Sequence, residues 1–103
     1  MDVSILKKDG SLETFDINKI IKGIKKAINE NTVTSHEVED FAEQVERYVI
    51  NSEEPVSSKV IGGMILEWLK TKDQLSYIRF ASVYKEFKDL DDIKEEINKL
   101  EKF

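Results

Sequence analysis

The sequence predicts an α+β domain: a small helical bundle capped by a three-stranded β-sheet that begins with an N-terminal hairpin. Three observations carry that prediction. Residues 3–8 run with a period of two into Asp9-Gly10, a strong hairpin signal. Four later segments place apolar residues at steps of three and four, the helical period. The break from Asn51 to Pro55 is followed by Val56, which reads as a short third strand before the next helix.

Taken in order, the hairpin spans residues 2–15 and the helical region residues 16–103, as one domain over 1–103. Read as a two-residue turn, Asp9-Gly10 pairs Lys8 with Ser11, Lys7 with Leu12 and Leu6 with Glu13. Lys7, Leu12, Ile5 and Val3 then share one face. Asp16 is an N-cap for a first helix to about Glu30, striped by Ile17, Ile20, Ile21, Ile24 and Ile28, with Lys19 at its third position. Thr34 with Glu37 forms a capping box for the second helix, whose apolar side carries Val38, Phe41, Ala42, Val45, Tyr48 and Val49. Ser57 or Ser58 caps the third, striped by Val60, Ile61, Met64, Ile65, Trp68 and Leu69. Gly62 and Gly63 inside it cost about 1 kcal/mol each relative to alanine, which argues for close approach by another group. From Gln74 to Lys88 apolar residues cover most of the circumference, predicting a central helix. A last helix carries Ile93, Ile97 and Leu100 on a charged surface.

Composition narrows the function. The 103 residues are 40% hydrophobic, enough for one core that shields roughly 60 to 65% of the unfolded surface. No apolar run approaches a membrane span and no leader is visible, so the expectation is a cytoplasmic protein with no membrane partner. Cysteine is absent, which excludes disulfides, thiolate metal sites and thiol chemistry. With 21 acidic against 16 basic side chains, direct nucleic-acid binding is disfavoured. The charge is uneven, however: residues 1–30 hold six lysines against five acids.

No phosphate loop or dinucleotide fingerprint is present. An anion would be held by Lys7, Lys8 and Lys19, by free N–H groups at the starts of the first and third helices, and by the Ser57 and Ser58 hydroxyls. Lys7 closes an apolar strand face, and the alternative reading is a lysine snorkelling at a strand end. Glu13 either pairs with Lys7 or Lys8 or accepts from a ribose or base. His36, without cysteine partners, reads as a surface residue, Arg79 as half of a structural ion pair, and Asp89, Asp91, Asp92, Glu95 and Glu96 as solvated helix-start charge. No nucleophile with its base and no carboxylate pair assembles, so the chain reads as a binding module and not an enzyme.

Three motifs in order resemble one family. Ile5-Leu6-Lys7-Lys8-Asp9-Gly10 with Glu13, Phe15, Asp16, Lys19 and Ile20 resembles the opening of the ATP-cone domain. Tyr77-Ile78-Arg79-Phe80-Ala81-Ser82-Val83-Tyr84-Lys85-Glu86-Phe87 is similar to its closing signature, especially in the transcriptional repressor of ribonucleotide reductase genes. Val56 to Gly62 is similar to its third-helix start, and the likeness covers roughly residues 2–92. The resemblance implies ATP or dATP bound beneath the sheet, with Mg2+ on the phosphates, in an allosteric sensor that acts through self-association or a partner protein. It implies that Ile5 and Lys7 line the nucleotide, that Lys8 and Lys19 reach its phosphates, and that Glu13 and Asp16 lie around base and sugar. Ser57 or Ser58 would supply a hydroxyl and Lys85 a late basic contact. Ile61 departs from reductase members that carry a histidine there. The chain shows neither the reductases' catalytic domain nor the repressor's zinc ribbon, and reads as a cone without them. Two other readings remain: a helical DNA-binding or co-regulator protein using Ser58 to Leu69, and a cone fold that has lost nucleotide affinity.

Overall fold

The computed structural model describes residues 3–101, so Asp2, the expected first hairpin residue, lies outside it. Strands β1 (Ser4–Leu6) and β2 (Leu12–Thr14) precede α1 (Ile17–Lys25) and α2 (Ser35–Asn51). β3 (Val56–Ser57), α3 (Ser58–Lys72), α4 (Gln74–Tyr84) and α5 (Leu90–Glu101) follow. The sheet order is β2-β1-β3, with β1 antiparallel to β2 and parallel to β3. The expected α+β architecture is present.

The hairpin differs from expectation by one residue. Gly10 has φ 87 and is the only glycine with positive φ, whereas Asp9 keeps the ordinary sign. A two-residue primed turn needs positive φ at both centres, so the chain forms a three-residue loop, Lys8-Asp9-Gly10. Gly10 N donates to Lys7 O (3.0 Å) and Lys7 N to Ser11 O (2.8 Å). The Asp9 carboxylate fixes the turn by accepting from Ser11 N at 2.9 Å and Ser11 Oγ at 2.6 Å. The register becomes Leu6 opposite Leu12 and Ile5 opposite Glu13. A one-residue slip exchanges the faces: Leu6 and Leu12 are exposed, while Ile5 and Glu13 share the inward side.

Caps set the helix starts. Asp16 accepts from Asn18 N, Ser57 from Val60 N and Asp73 from Ser76 N, and Thr34 with Glu37 completes the expected box. The ends were less legible. α1 stops at Lys25 because its last turn tightens: Ala27 N bonds Ile24 O, yet Ala27 and Ile28 stay buried. α4 stops at Tyr84, not Lys88. Glu86 takes the left-handed conformation (φ 56), and bonds from Phe87 N to Ser82 O and Glu86 N to Val83 O complete a Schellman ending.

Ile24, Val33, Val38, Val45, Val49 and Leu69 form the most buried part of the core, bordered by a parallel stack of Phe41 on Trp68 at 4.4 Å. α4 is not central: it packs on α3 and α5, leaving Leu75 and Val83 exposed. Of the acidic cluster expected at the surface, Glu96 is buried. It accepts from Tyr77 Oη (2.9 Å) and Lys85 Nζ (2.6 Å), with Lys99 Nζ at 3.6 Å. Burial alone would raise its carboxyl, but these partners outweigh burial and hold it below the ordinary carboxylate value.

Burial and the Glu96 acceptor together push the Tyr77 hydroxyl up from 10.0 to about 12. A raised folded value stabilises fully below pH 10 and is lost as pH climbs through 12. By linkage this amounts to about 3 kcal/mol. Denaturant unfolding across that window should therefore show wild type losing its advantage over Tyr77→Phe by that amount, against a constant difference near neutrality.

Candidate functional site

The shifted hairpin register builds the site. By turning Glu13 inward beside Ile5 it brings the carboxylate to Lys19 on α1, and Lys19 Nζ donates to Glu13 Oε1 at 2.6 Å. The hydrogen bond from Lys19, its charge and then that of Lys7 lower the Glu13 carboxyl, and Glu13 in turn raises the Lys19 ammonium. Lys7 thus lies near the pair, while its side chain is exposed at the strand end. Both members of the pair face solvent, with side chains 67% and 32% exposed, so Lys19 is free to exchange its carboxylate for a stronger anion.

Under the sheet lies a cavity of about 220 Å³, walled by Ile5, Ile20, Gly62 and Phe80, with Lys19 and Ser58 at its polar edge. Its closing side is Tyr84. The Tyr84 ring stacks on Phe80 at 5.8 Å, its hydroxyl donates to Lys59 O (3.1 Å), and Lys8 Nζ lies 5.5 Å from its centroid. That seat requires Gly62, because a Cβ there would overlap the ring. Of the two α3 glycines, only Gly62 answers to a close approach; Gly63 has open space. Gly23, Phe80 and Tyr84 were not foreseen as site residues, and the one signal for them was the glycine at 62.

The other candidates distribute unevenly. Ser58 lines the cavity, while the Ser57 hydroxyl caps α3 by accepting from Val60 N at 3.1 Å. The Asp16 carboxylate accepts from Asn18 N at 2.9 Å. Lys85 points to α5 and bonds Glu96 at 2.6 Å. Ile5, Lys7, Lys8, Glu13, Lys19 and Ser58 therefore gather around one mouth, and Lys85 stands apart. Arg79, expected in an ion pair, is exposed and has no carboxylate partner among the described residues. His36 sits on the surface, 3.3 Å from Asp40. Among the described residues no cluster of three or more His, Cys or acidic side chains could hold a metal ion.

A cation at the mouth, an apolar slot and a helix start beside it suit a ligand with a flat apolar part and a negative tail. The chain belongs to the ATP cone domain family, whose model matches residues 3–90. That family is a nucleotide-sensing regulatory class whose effectors are ATP and dATP. Among particular proteins, the chain is similar to the transcriptional repressor NrdR of Kosmotoga olearia, 44% identical over 95% of the chain and 63% of that protein. It is likewise similar to those of Desulforapulum autotrophicum (42% identical; 97% and 61%) and Caldicellulosiruptor bescii (42%; 95% and 65%). The chain thus spans a little under two thirds of the length of these relatives, which are transcriptional repressors by name.

These relatives correct one expectation. Net charge argued that direct nucleic-acid binding was disfavoured, yet transcriptional repressors act on DNA. The physical reason is that net charge sums the whole surface, whereas phosphate contacts are made by a few local cations. A total of -5 therefore does not exclude a DNA partner. No helix among the described residues is long and apolar enough to cross a membrane.

Proposed function

We propose that this chain is an adenine-nucleotide sensor that binds ATP or dATP under the sheet and reports occupancy through protein association. The observation that carries the reading is the Glu13 and Lys19 pair at the mouth of an apolar cavity. The cavity, about 220 Å³, lies below the roughly 300 to 1,000 Å³ of ligand pockets. It suits base and sugar, with the triphosphate lying outside against Lys7, Lys8 and Lys19.

In this reading Ile5 and Ile20 pack on the apolar part, Ser58 and the free N–H groups of α3 meet polar atoms, and Glu13 and Asp16 border the sugar. Lys19 exchanges Glu13 for a phosphate oxygen. Mg2+ would arrive on the phosphates, since the acidic residues near the mouth do not form a metal site of their own. Lys85 would have to leave Glu96 to take part, which makes it the weakest of the assigned contacts. The further role, as the regulatory part of a transcriptional repressor, rests on the similarity to NrdR. Regulation then requires that nucleotide favour one association state by differential affinity.

Calorimetric titration with ATP and dATP, with size followed by light scattering, tests the reading. Binding is expected, with an accompanying change in size and about tenfold weaker affinity in Lys7→Ala. At a hundredfold excess of nucleotide over Kd the fold should gain about 2.7 kcal/mol. Identical melting temperatures with and without millimolar ATP and dATP would overturn it.

A further inference from the structure

A second, larger cavity of about 530 Å³ lies between the end of α1 and α4. α1 packs chiefly on α2, and α4 on α3 and α5, which leaves this groove open between them. Gly23 and Ala27 from the α1 side and Phe80 and Val83 from α4 give it an apolar floor, and Lys26 and Arg79 stand at its edges.

Two features set the groove apart from ordinary surface. First, the groove residues Arg79 and Val83 are continued along the same α4 face, at steps of four, by Leu75, which lies just outside the groove. Leu75 is 56% and Val83 80% exposed, so two apolar side chains in water bracket one cation. Secondly, Lys22, Lys25, Lys26 and Arg79 are all exposed, and none has a carboxylate within ion-pair distance among the described residues. Elsewhere Lys19, Lys72, Lys85 and Lys99 are neutralised by acidic neighbours. In a chain of net charge -5, Lys26 and Arg79 at the groove, with Lys22 and Lys25 close by on α1, gather unneutralised positive charge on one side.

We propose that this groove docks an acidic amphipathic helix of a partner protein, with apolar side chains two turns apart seated beside Leu75 and Val83 and a carboxylate between them on Arg79. Charge complementarity selects the sign of the partner, and the spacing of the stripe selects a helix. A nucleic-acid backbone would meet the same cations but leave the apolar floor and the exposed Val83 uncovered, which is why a peptide is the better occupant. Phe80, Tyr84 and Gly23 line both this groove and the smaller cavity under the sheet.

The test uses a synthetic helical peptide with leucines two turns apart and glutamates between them, titrated into the whole chain and followed by backbone amide NMR. Shifts confined to residues 22–27 and 75–84 are expected, with affinity falling about tenfold in Arg79→Glu and little changed in Arg79→Lys. A matching peptide with lysines for glutamates should bind Arg79→Glu better than wild type. Arg79 is exposed and its side chain has no ion-pair partner to lose among the described residues, so an unchanged circular dichroism spectrum and melting temperature serve as the folding control. Shifts elsewhere, or acidic-peptide binding indifferent to Arg79→Glu, overturn the proposal. So does duplex DNA shifting the same residues when the peptide does not, or concentration-dependent dimerisation that Arg79→Glu abolishes. Nucleotide titration of Arg79→Glu keeps the two readings separate, because this variant leaves Lys7, Glu13 and Lys19 in place.

Discussion

Lys19→Ala should weaken ATP and dATP binding by roughly 10- to 100-fold while leaving the fold intact, as read by calorimetry beside an unchanged melting curve. The size of the effect follows from geometry. Lys19 is the cation that lines the cavity itself, whereas Lys7 and Lys8 stand at the hairpin end. Its Nζ already makes a 2.6 Å charge-assisted hydrogen bond to Glu13, which holds the side chain over the cavity mouth before any ligand arrives. A phosphate would replace a carboxylate acceptor with a more highly charged one, so little reordering of the lysine is needed. The stability should barely move, since the pair is exposed and surface ion pairs of this kind contribute little. Glu13→Ala should weaken binding less than Lys19→Ala, because it removes the residue that positions the cation and not the cation. Equal affinity in wild type and Lys19→Ala would remove the cavity under the sheet as the nucleotide site.

The second large effect concerns stability. Glu96→Ala should cost about 2 to 4 kcal/mol in urea unfolding, far more than a surface glutamate. Glu96 is 3% exposed and accepts from both Tyr77 and Lys85. Its removal leaves the buried Tyr77 hydroxyl without its acceptor and opens space under α5. The stranded lysines limit the damage: Lys85 and Lys99 have side chains 33% and 64% exposed and can turn to water, which keeps the cost below that of a fully buried unpaired charge. Glu96→Gln should cost less than Glu96→Ala, because an amide oxygen still accepts from Tyr77. The carboxyl lies below its ordinary value in the folded chain, so its contribution is present above pH 4.5 and fades as pH falls through the folded value. Glu96→Gln should flatten acid unfolding over that range. Hydrogen exchange should show α5 as the first element released, since beyond this network it is anchored mainly by the buried Leu100.

Much of the fold was legible where local chemistry decides it. The capping box of Thr34 and Glu37, the Asp16 cap and the stripes of Ile24, Val45 and Leu69 follow from side chains a few residues apart and are found where the pattern put them, while of the two serines offered for α3 the cap is Ser57. The misreadings arise where sequence neighbours compete for one conformation. Asp9-Gly10 supports both a two-residue and a three-residue turn, and the choice went to the loop in which Asp9 accepts from Ser11 and only Gly10 needs positive φ. The end of α4 carries neither glycine nor proline; Glu86 takes the left-handed conformation there because two Schellman bonds close the helix. Glu96 looked like one more solvated acid, and only the packing of α5 against Tyr77 buries it.

Element types, the order of the caps, the basic start of the chain and the motifs that mark an ATP cone are all written in short-range periodicity and hydrogen bonding. Tertiary structure decided which residues meet. It paired Glu13 with Lys19 through a one-residue register, seated Tyr84 over Gly62, drew Lys85 to Glu96, and set Arg79 beside an open groove. The physical reason is that a side chain's partner depends on which face it turns to and on what another element brings there. A single residue of register or one helix ending changes that without altering the local pattern.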